Sequence, residues 1–257
     1  MLDQAHTTSP PMIAACGLTK RFEDGQLALQ DVSFAVRPGQ IFAILGGNGA
    51  GKTTTINIFL NLLEPTAGEA CIGGIASHVD PLGAKRQIAF VSENVMLYDT
   101  FTAIGNLEFF TRLGGRNHLT RDDYRAALRR VGLADAAHDR RLGGFSKGMR
   151  QKCGLAIAIL RDAPAILLDE PTSGLDPQAG FEFLTLLGEL RDEGKAILMS
   201  THDIFRAHEV ADLIGIMDRG RLGMLRTREE LRGENLEALY IRFMAGSAAA
   251  TEEVDRD

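Results

Sequence analysis

The residues able to do chemistry fall in a few short stretches. "GGNGAGKTT", residues 46–54, fits G-x-x-x-x-G-K-[ST] through Gly46, Gly51, Lys52 and Thr53. The apolar run "IFAILG" precedes it and a helical pattern follows, which is the setting of a phosphate-binding loop. Glycines let backbone N–H groups turn inward around an anion without a Cβ in the way. Lys52 places a point charge against β/γ-phosphates, and Thr53 offers a hydroxyl to Mg²⁺. "AILLDEP" supplies the partner of that metal. The apolar residues Ala165–Leu168 form a buried strand that delivers Asp169 and Glu170 at its carboxyl end, where ligands of open α/β sheets sit. Asp169 suits Mg²⁺ held through water, and Glu170 suits a general base that polarises an attacking water. "LMSTHD" ends another apolar strand, expected beside the Asp169 strand, so His202 faces the same phosphates. His6, His78, His118, His138 and His208 have no such context and read as surface or satisfied core residues.

A second anion-binding device lies farther along, in "GGFSKGMRQKCGLAIAIL", residues 143–160. Ser146 is placed to cap a long apolar helix, with Gly148 in its first turn, and such an N-terminus attracts anions. One domain holding two phosphate cradles calls for an explanation.

Composition bounds what these stretches can belong to. The chain has 257 residues, is 45% hydrophobic and carries a net charge of −6. That size fits one large domain, or one with an inserted subdomain, around a sizeable core. The acidic balance (pI about 5.6) and scattered Lys and Arg argue against a nucleic-acid partner, which favours a basic field. No apolar run is long enough to span a bilayer. The start "MLDQAHTTSPPM" lacks the basic and apolar regions of a signal peptide. Cys16, Cys71 and Cys153 are isolated, which fits neither disulfides nor a zinc site. A cytoplasmic chain is expected, with any membrane work supplied by a partner.

The elements that must position these residues follow from pattern. Short apolar runs at "MIAACGL", "DVSFAV" and "IFAILG" read as strands, with "RPG" turning between the last two. A helix is expected over 53–63, then strands at "EACIGG" and "QIAFVS". Residues 102–160 are mainly helical in pattern, broken at 113–115, Gly132 and "LGGFS". Strand and helix then alternate: "AILLDE", a helix over 177–192, "KAILMS", a helix over 203–211, and "LIGIMD". Continuous apolar strands between helices predict a mostly parallel buried sheet, an α/β fold with a helical insertion. Residues 1–11 read as a flexible leader and 246–257 as a flexible tail.

The ordered motifs "GGNGAGKTT", "FSKGM", "LLDEP", "SGLD" and "STHD" together resemble the nucleotide-binding subunit of ATP-binding cassette (ABC) transporters. The resemblance spans about residues 12–245. It implies a P-loop NTPase core over 12–94 and 162–234, its mostly parallel sheet joined by an N-terminal antiparallel β part. An α-helical subdomain is implied near 95–161. It further implies ATP and Mg²⁺ as ligands. Phe22 stands where the family stacks adenine, the competing reading being a core Phe. Gly46, Gly47, Asn48, Gly49, Ala50, Gly51, Lys52, Thr53 and Thr54 form its Walker A loop. Asp169 is its metal-holding residue, Glu170 its catalytic carboxylate, Ser173–Asp176 its D-loop and His202 its switch histidine. Asp176 before Pro177 also serves helix initiation. By the same resemblance Ser146, Lys147 and Gly148 are offered to the γ-phosphate held by a second copy. A head-to-tail dimer, with a second copy as a homodimer or with a paralogous partner, would answer the question of two cradles. "SKGM" and the ending "LEALYIRFM" point to subunits that work with a separate type-2 exporter permease at the cytoplasmic face of the cell membrane.

The chain departs from the family pattern in places. Glu93 in "FVSENVMLY" occupies the slot of a glutamine that contacts Mg²⁺ and the attacking water, unless Asn94 takes the role. A carboxylate there either ligates Mg²⁺, slows hydrolysis, or is partly protonated. Gly47 replaces a common proline, which loosens the loop. Lys147 replaces a common glycine, and either adds charge near the partner's phosphate or points to solvent. The Met-, Tyr- and Phe-rich segment after Glu93 is where the family receives a helix of its permease, and Val95–Phe101 is expected to divide between that surface and the subdomain's own core. Besides transport, the resemblance leaves room for an ATP-driven module that regulates a membrane or periplasmic partner.

Overall fold

In the computed structural model residues 9–244 are described. The expected tail over 246–257, and the expected leader apart from residues 9–11, lie outside them. Ten strands are assigned among the described residues: β1 (Ile13–Arg21), β2 (Leu27–Val36), β3 (Gln40–Leu45), β4 (Ala67–Ile72), β5 (Ile75–Ala76), β6 (Ile88–Val91), β7 (Ala165–Asp169), β8 (Ala196–Thr201), β9 (Leu213–Asp218) and β10 (Arg221–Thr227). They build an antiparallel sheet in the order β2-β1-β4-β5 and a six-stranded sheet in the order β10-β9-β3-β8-β7-β6. The larger sheet is parallel except for β10, which runs antiparallel to β9.

The strand sequences explain the layering. β3 reads "QIFAIL", and its residues from Ile41 onward are buried, because a parallel strand covered on both faces has no polar side. Ile41, Ala43 and Leu45 join one core, shared with most of the helices; Phe42 and Ile44 join the other, beneath the antiparallel sheet. β8 divides the same way, Ile197 and Met199 against Ala196 and Leu198. Phe34 of β2 packs on Phe42 at a ring-centroid distance of 4.8 Å and on Phe59 at 5.9 Å, so aromatic contacts fasten the two sheets together.

The helices are α1 (Lys52–Phe59), α2 (Pro81–Arg86), α3 (Ala103–Leu113), α4 (Arg121–Arg130), α5 (Lys147–Arg161), α6 (Pro177–Asp192) and α7 (Ile204–Val210). Side-chain caps start most of them: Thr102 for α3, Thr120 with Asp123 as a capping box for α4, Ser146 for α5, Asp176 for α6 and Asp203 for α7. α6 matches the expected 177–192. The helix expected over 53–63 stops at Phe59, since the chain turns through Asn61 at φ 49°. Unforeseen were α2, started by Asp80 and Pro81 with the same signal as Asp176 and Pro177, and the exposed edge strand β10. Residues 236–244 are helical; Leu236 is buried there, and Leu239, Tyr240 and Phe243 pack on the larger core.

Candidate nucleotide-binding site

Strand register assembles the site. Leu45 lies opposite Thr201, and Ser200 opposite Asp169, so the parallel strands β3, β8 and β7 end at one level. The glycine loop leaves β3 there, His202 follows β8 and Glu170 follows β7. The expected adjacency of the His202 and Asp169 strands is therefore observed. Two of the loop's glycines are there for close packing: a Cβ on Gly46 would stand 2.5 Å from the Met217 carbonyl oxygen, and one on Gly51, at φ 108°, 2.8 Å from the Ala28 carbonyl oxygen. Gly47 and Gly49 have nothing within 4 Å and open onto a cavity.

That cavity, of about 440 Å³, is lined by residues 47–54, by Phe22, Leu27 and Ala28, and by Glu93, Glu170 and Arg219. Half-buried Phe22, just past β1, stands at its rim, with the Lys20 ammonium 5.5 Å from its ring centroid. Buried Lys52 reaches the carbonyls of Gly46 (2.7 Å) and Gly47 (3.2 Å) and lies 3.2 Å from Glu170 Oε1. His202 Nδ1 is 2.9 Å from Glu170 Oε2. Lys52, Glu170 and His202 are thus brought together around one carboxylate. Glu170 holds φ 46°, a strained region for a side chain of its size, and its N–H donates to the Ser200 hydroxyl at 3.0 Å and, more weakly, to the Ser200 carbonyl. The Ser200 hydroxyl in turn donates to Asp169 Oδ1 at 2.5 Å. Thr53 donates to that same oxygen at 3.3 Å.

The residues present fit Mg²⁺. A hydroxyl and a carboxylate oxygen converge beside the phosphate loop, and among the described residues no set of three or more His, Cys, Asp or Glu side chains could hold a metal. The remaining ligands would come from phosphate and water, the usual habit of Mg²⁺, which here would neutralise charge on the phosphates.

Other expected site residues lie elsewhere. Ser146, Lys147, Gly148 and Asp176 are absent from the cavity lining. Ser146 caps α5 by accepting from Met149 N–H at 3.3 Å, and Asp176 accepts from Ala179 N–H at 2.9 Å. Lys147, itself partly exposed, places its Nζ 3.4 Å from Glu93 Oε1. The Ser173 hydroxyl, against some cost of burial and with the help of Lys147, holds the Glu93 carboxyl below its ordinary value. Residues that the sequence did not disclose include Ser200 and Arg206. Arg206 of α7 donates to the carbonyls of Thr172 (2.5 Å) and Leu175 (3.4 Å), clamping the loop between β7 and α6. A serine two positions before His202 was the one available hint of the former; the latter carries no local signal.

A phosphate loop facing an acidic strand end across a parallel sheet defines a P-loop nucleotide hydrolase. Comparison with known proteins narrows the class. The family model described as ABC transporter matches residues 29–173. The ABC transporter ATP-binding protein NatA of Bacillus subtilis is 36% identical over 90% of this chain and 97% of its own length. The doxorubicin resistance ATP-binding protein DrrA of Mycobacterium tuberculosis is 34% identical over 84% of this chain and 66% of its own. Among solved structures, the dimeric post-hydrolysis state of the ATP-binding cassette MJ0796 bound to ADP and Pi superposes with a TM-score of 0.77 at 27% identity, covering 84% of this chain and 99% of that one. The chain belongs to the ABC transporter family, as an ATP-hydrolysing subunit.

Proposed function

We propose that two copies of this chain close head to tail on MgATP at the cytoplasmic face of a membrane and drive a separate permease of the type-2 exporter class. The observation that carries the reading is the placement of Ser146–Gly148. They form a capped helix N-terminus suited to an anion yet line no part of the chain's own cavity. A second copy's phosphates are the natural occupant, and the MJ0796 cassette is itself dimeric. The resistance named for DrrA favours outward transport. No described helix is long and apolar enough to cross a membrane, so the permease is a separate protein in this reading. Its docking surface is the exposed patch of Met96, Tyr98, Phe101 and Phe109.

Within the site, Lys52 and the loop amides bind the outer phosphates, with Thr53 and Asp169 holding Mg²⁺. Glu170 takes a proton from the attacking water at a carboxylate oxygen, and His202 orients that carboxylate and meets the γ-phosphate. Glu170→Gln is expected to reduce steady-state hydrolysis by about 10²-fold or more, while the protein elutes as a dimer in MgATP on size-exclusion chromatography. Retained turnover, or a persistent monomer, contradicts the assignment.

A further inference from the structure

Glu93 and Lys147 each break the family pattern, at places well separated in sequence, and they face each other in the fold. Lys147 Nζ is 3.4 Å from Glu93 Oε1, and the same oxygen accepts from Ser173 Oγ at 3.0 Å. The Lys147 stem runs over Gly174, where a Cβ would stand 3.5 Å from its Cδ and Nζ. One helical turn along α5, buried Gln151 donates to the carbonyls of Ser92 (3.2 Å) and Glu93 (2.8 Å). Three segments therefore meet at one carboxylate: the loop after β6, the first turn of α5 and the loop after β7. That carboxylate also lines the nucleotide cavity, where a bare negative charge would repel phosphates.

We propose that Glu93 and Lys147 act as a matched pair, Lys147 being the counter-ion that lets a carboxylate stand beside the nucleotide phosphates while it ties the first turn of α5, with Ser146, to the rim of the cavity. This rests on the ATP-binding reading of the site. Lys147 is then a positioning residue that acts through Glu93, and removing it matters only while the carboxylate is present.

The test is a cycle of the native chain, Glu93→Gln, Lys147→Ala and the double variant. A fluorescent ATP analogue with Mg²⁺ is titrated at protein concentrations where the chain is monomeric, which excludes contacts from a second copy. Lys147→Ala is expected to weaken binding about two- to fivefold in the native background, the range of a half-exposed ion pair, with no loss in the Glu93→Gln background. KM for ATP should rise similarly, and Lys147→Arg should restore both the affinity and KM. Without nucleotide, the exchanged pair Glu93→Lys/Lys147→Glu should melt above either single reversal. Equal losses of affinity in both backgrounds overturn the proposal. Coupling confined to melting leaves a structural tie and overturns the counter-ion role. Lys52→Ala separates the underlying reading: if it binds the analogue as tightly as the native chain, the site assignment fails, whereas the melting cycle still reports on the pair.

Discussion

Glu170 shows how much a single residue's surroundings decide. Its left-handed backbone is held by Ser200 from the neighbouring strand, and its two carboxylate oxygens are taken by Lys52 and His202. Strain of this kind persists only where neighbours over-determine it, and it gathers at working sites. The cysteines illustrate the converse. Cys153 is fully buried in α5, and desolvation pushes its thiol up to about 12, whereas Cys16 is exposed. Since the thiolate is the reacting form, brief maleimide treatment near neutral pH should label Cys16 and spare Cys153 until the protein is unfolded. Mass spectrometry of tryptic peptides would read this directly, and early labelling of Cys153 would contradict the packing of α5.

At the scale of elements, the segment between β6 and α3 is kept in place by polar contacts. Fully buried Asn106 of α3 accepts from Tyr98 N–H at 2.8 Å and donates to the carbonyls of Tyr98 and Thr102, each at 3.0 Å. Tyr98 is thereby presented among Phe101, Phe109 and Phe110, with centroid distances between 5.1 and 5.9 Å to its ring. Asn106→Ala leaves those backbone groups without their partner and should cost about 1–3 kcal/mol. It should lower the melting temperature and raise amide exchange over residues 95–102. Exchange unchanged there would mean that the aromatic contacts alone hold the segment. The caps of α5 and α6 act on the same scale. Asp176→Ala is expected to destabilise by about 1 kcal/mol through loss of the α6 cap, measured by denaturant unfolding.

Across the whole molecule, paired carboxylates tie distant elements and set the response to acid. Glu93 is held below its ordinary value chiefly by Ser173, Asp162 by Lys195 and Glu182 by Lys152. A carboxyl whose folded pKa is depressed stabilises the fold above its unfolded value, and that stability is lost as pH falls through the folded one. The melting temperature should therefore hold through the neutral range and fall on acidification below about pH 4. A melting temperature level down to about pH 2 would show that these pairs carry no stability. They lie largely in solvent, so the expected slope is gentle.

Sequence by itself determined the class of fold and singled out residues that the structure gathers at the carboxyl ends of β3, β7 and β8. Both rest on local rules: a glycine loop between strand and helix, an acidic pair ending an apolar strand, and capping residues such as Asp176 and Ser146 with their helices beside them. Local rules also ended where local information did. The Glu93–Lys147 pair, the Ser200 bridge between Asp169 and Glu170, and the Arg206 clamp join residues 30 or more positions apart. Which side chains meet across such gaps depends on strand order and register. Only the tertiary structure decided that the serine before β8's end would meet the acidic pair, and that Lys147 would lie 3.4 Å from its own chain's Glu93.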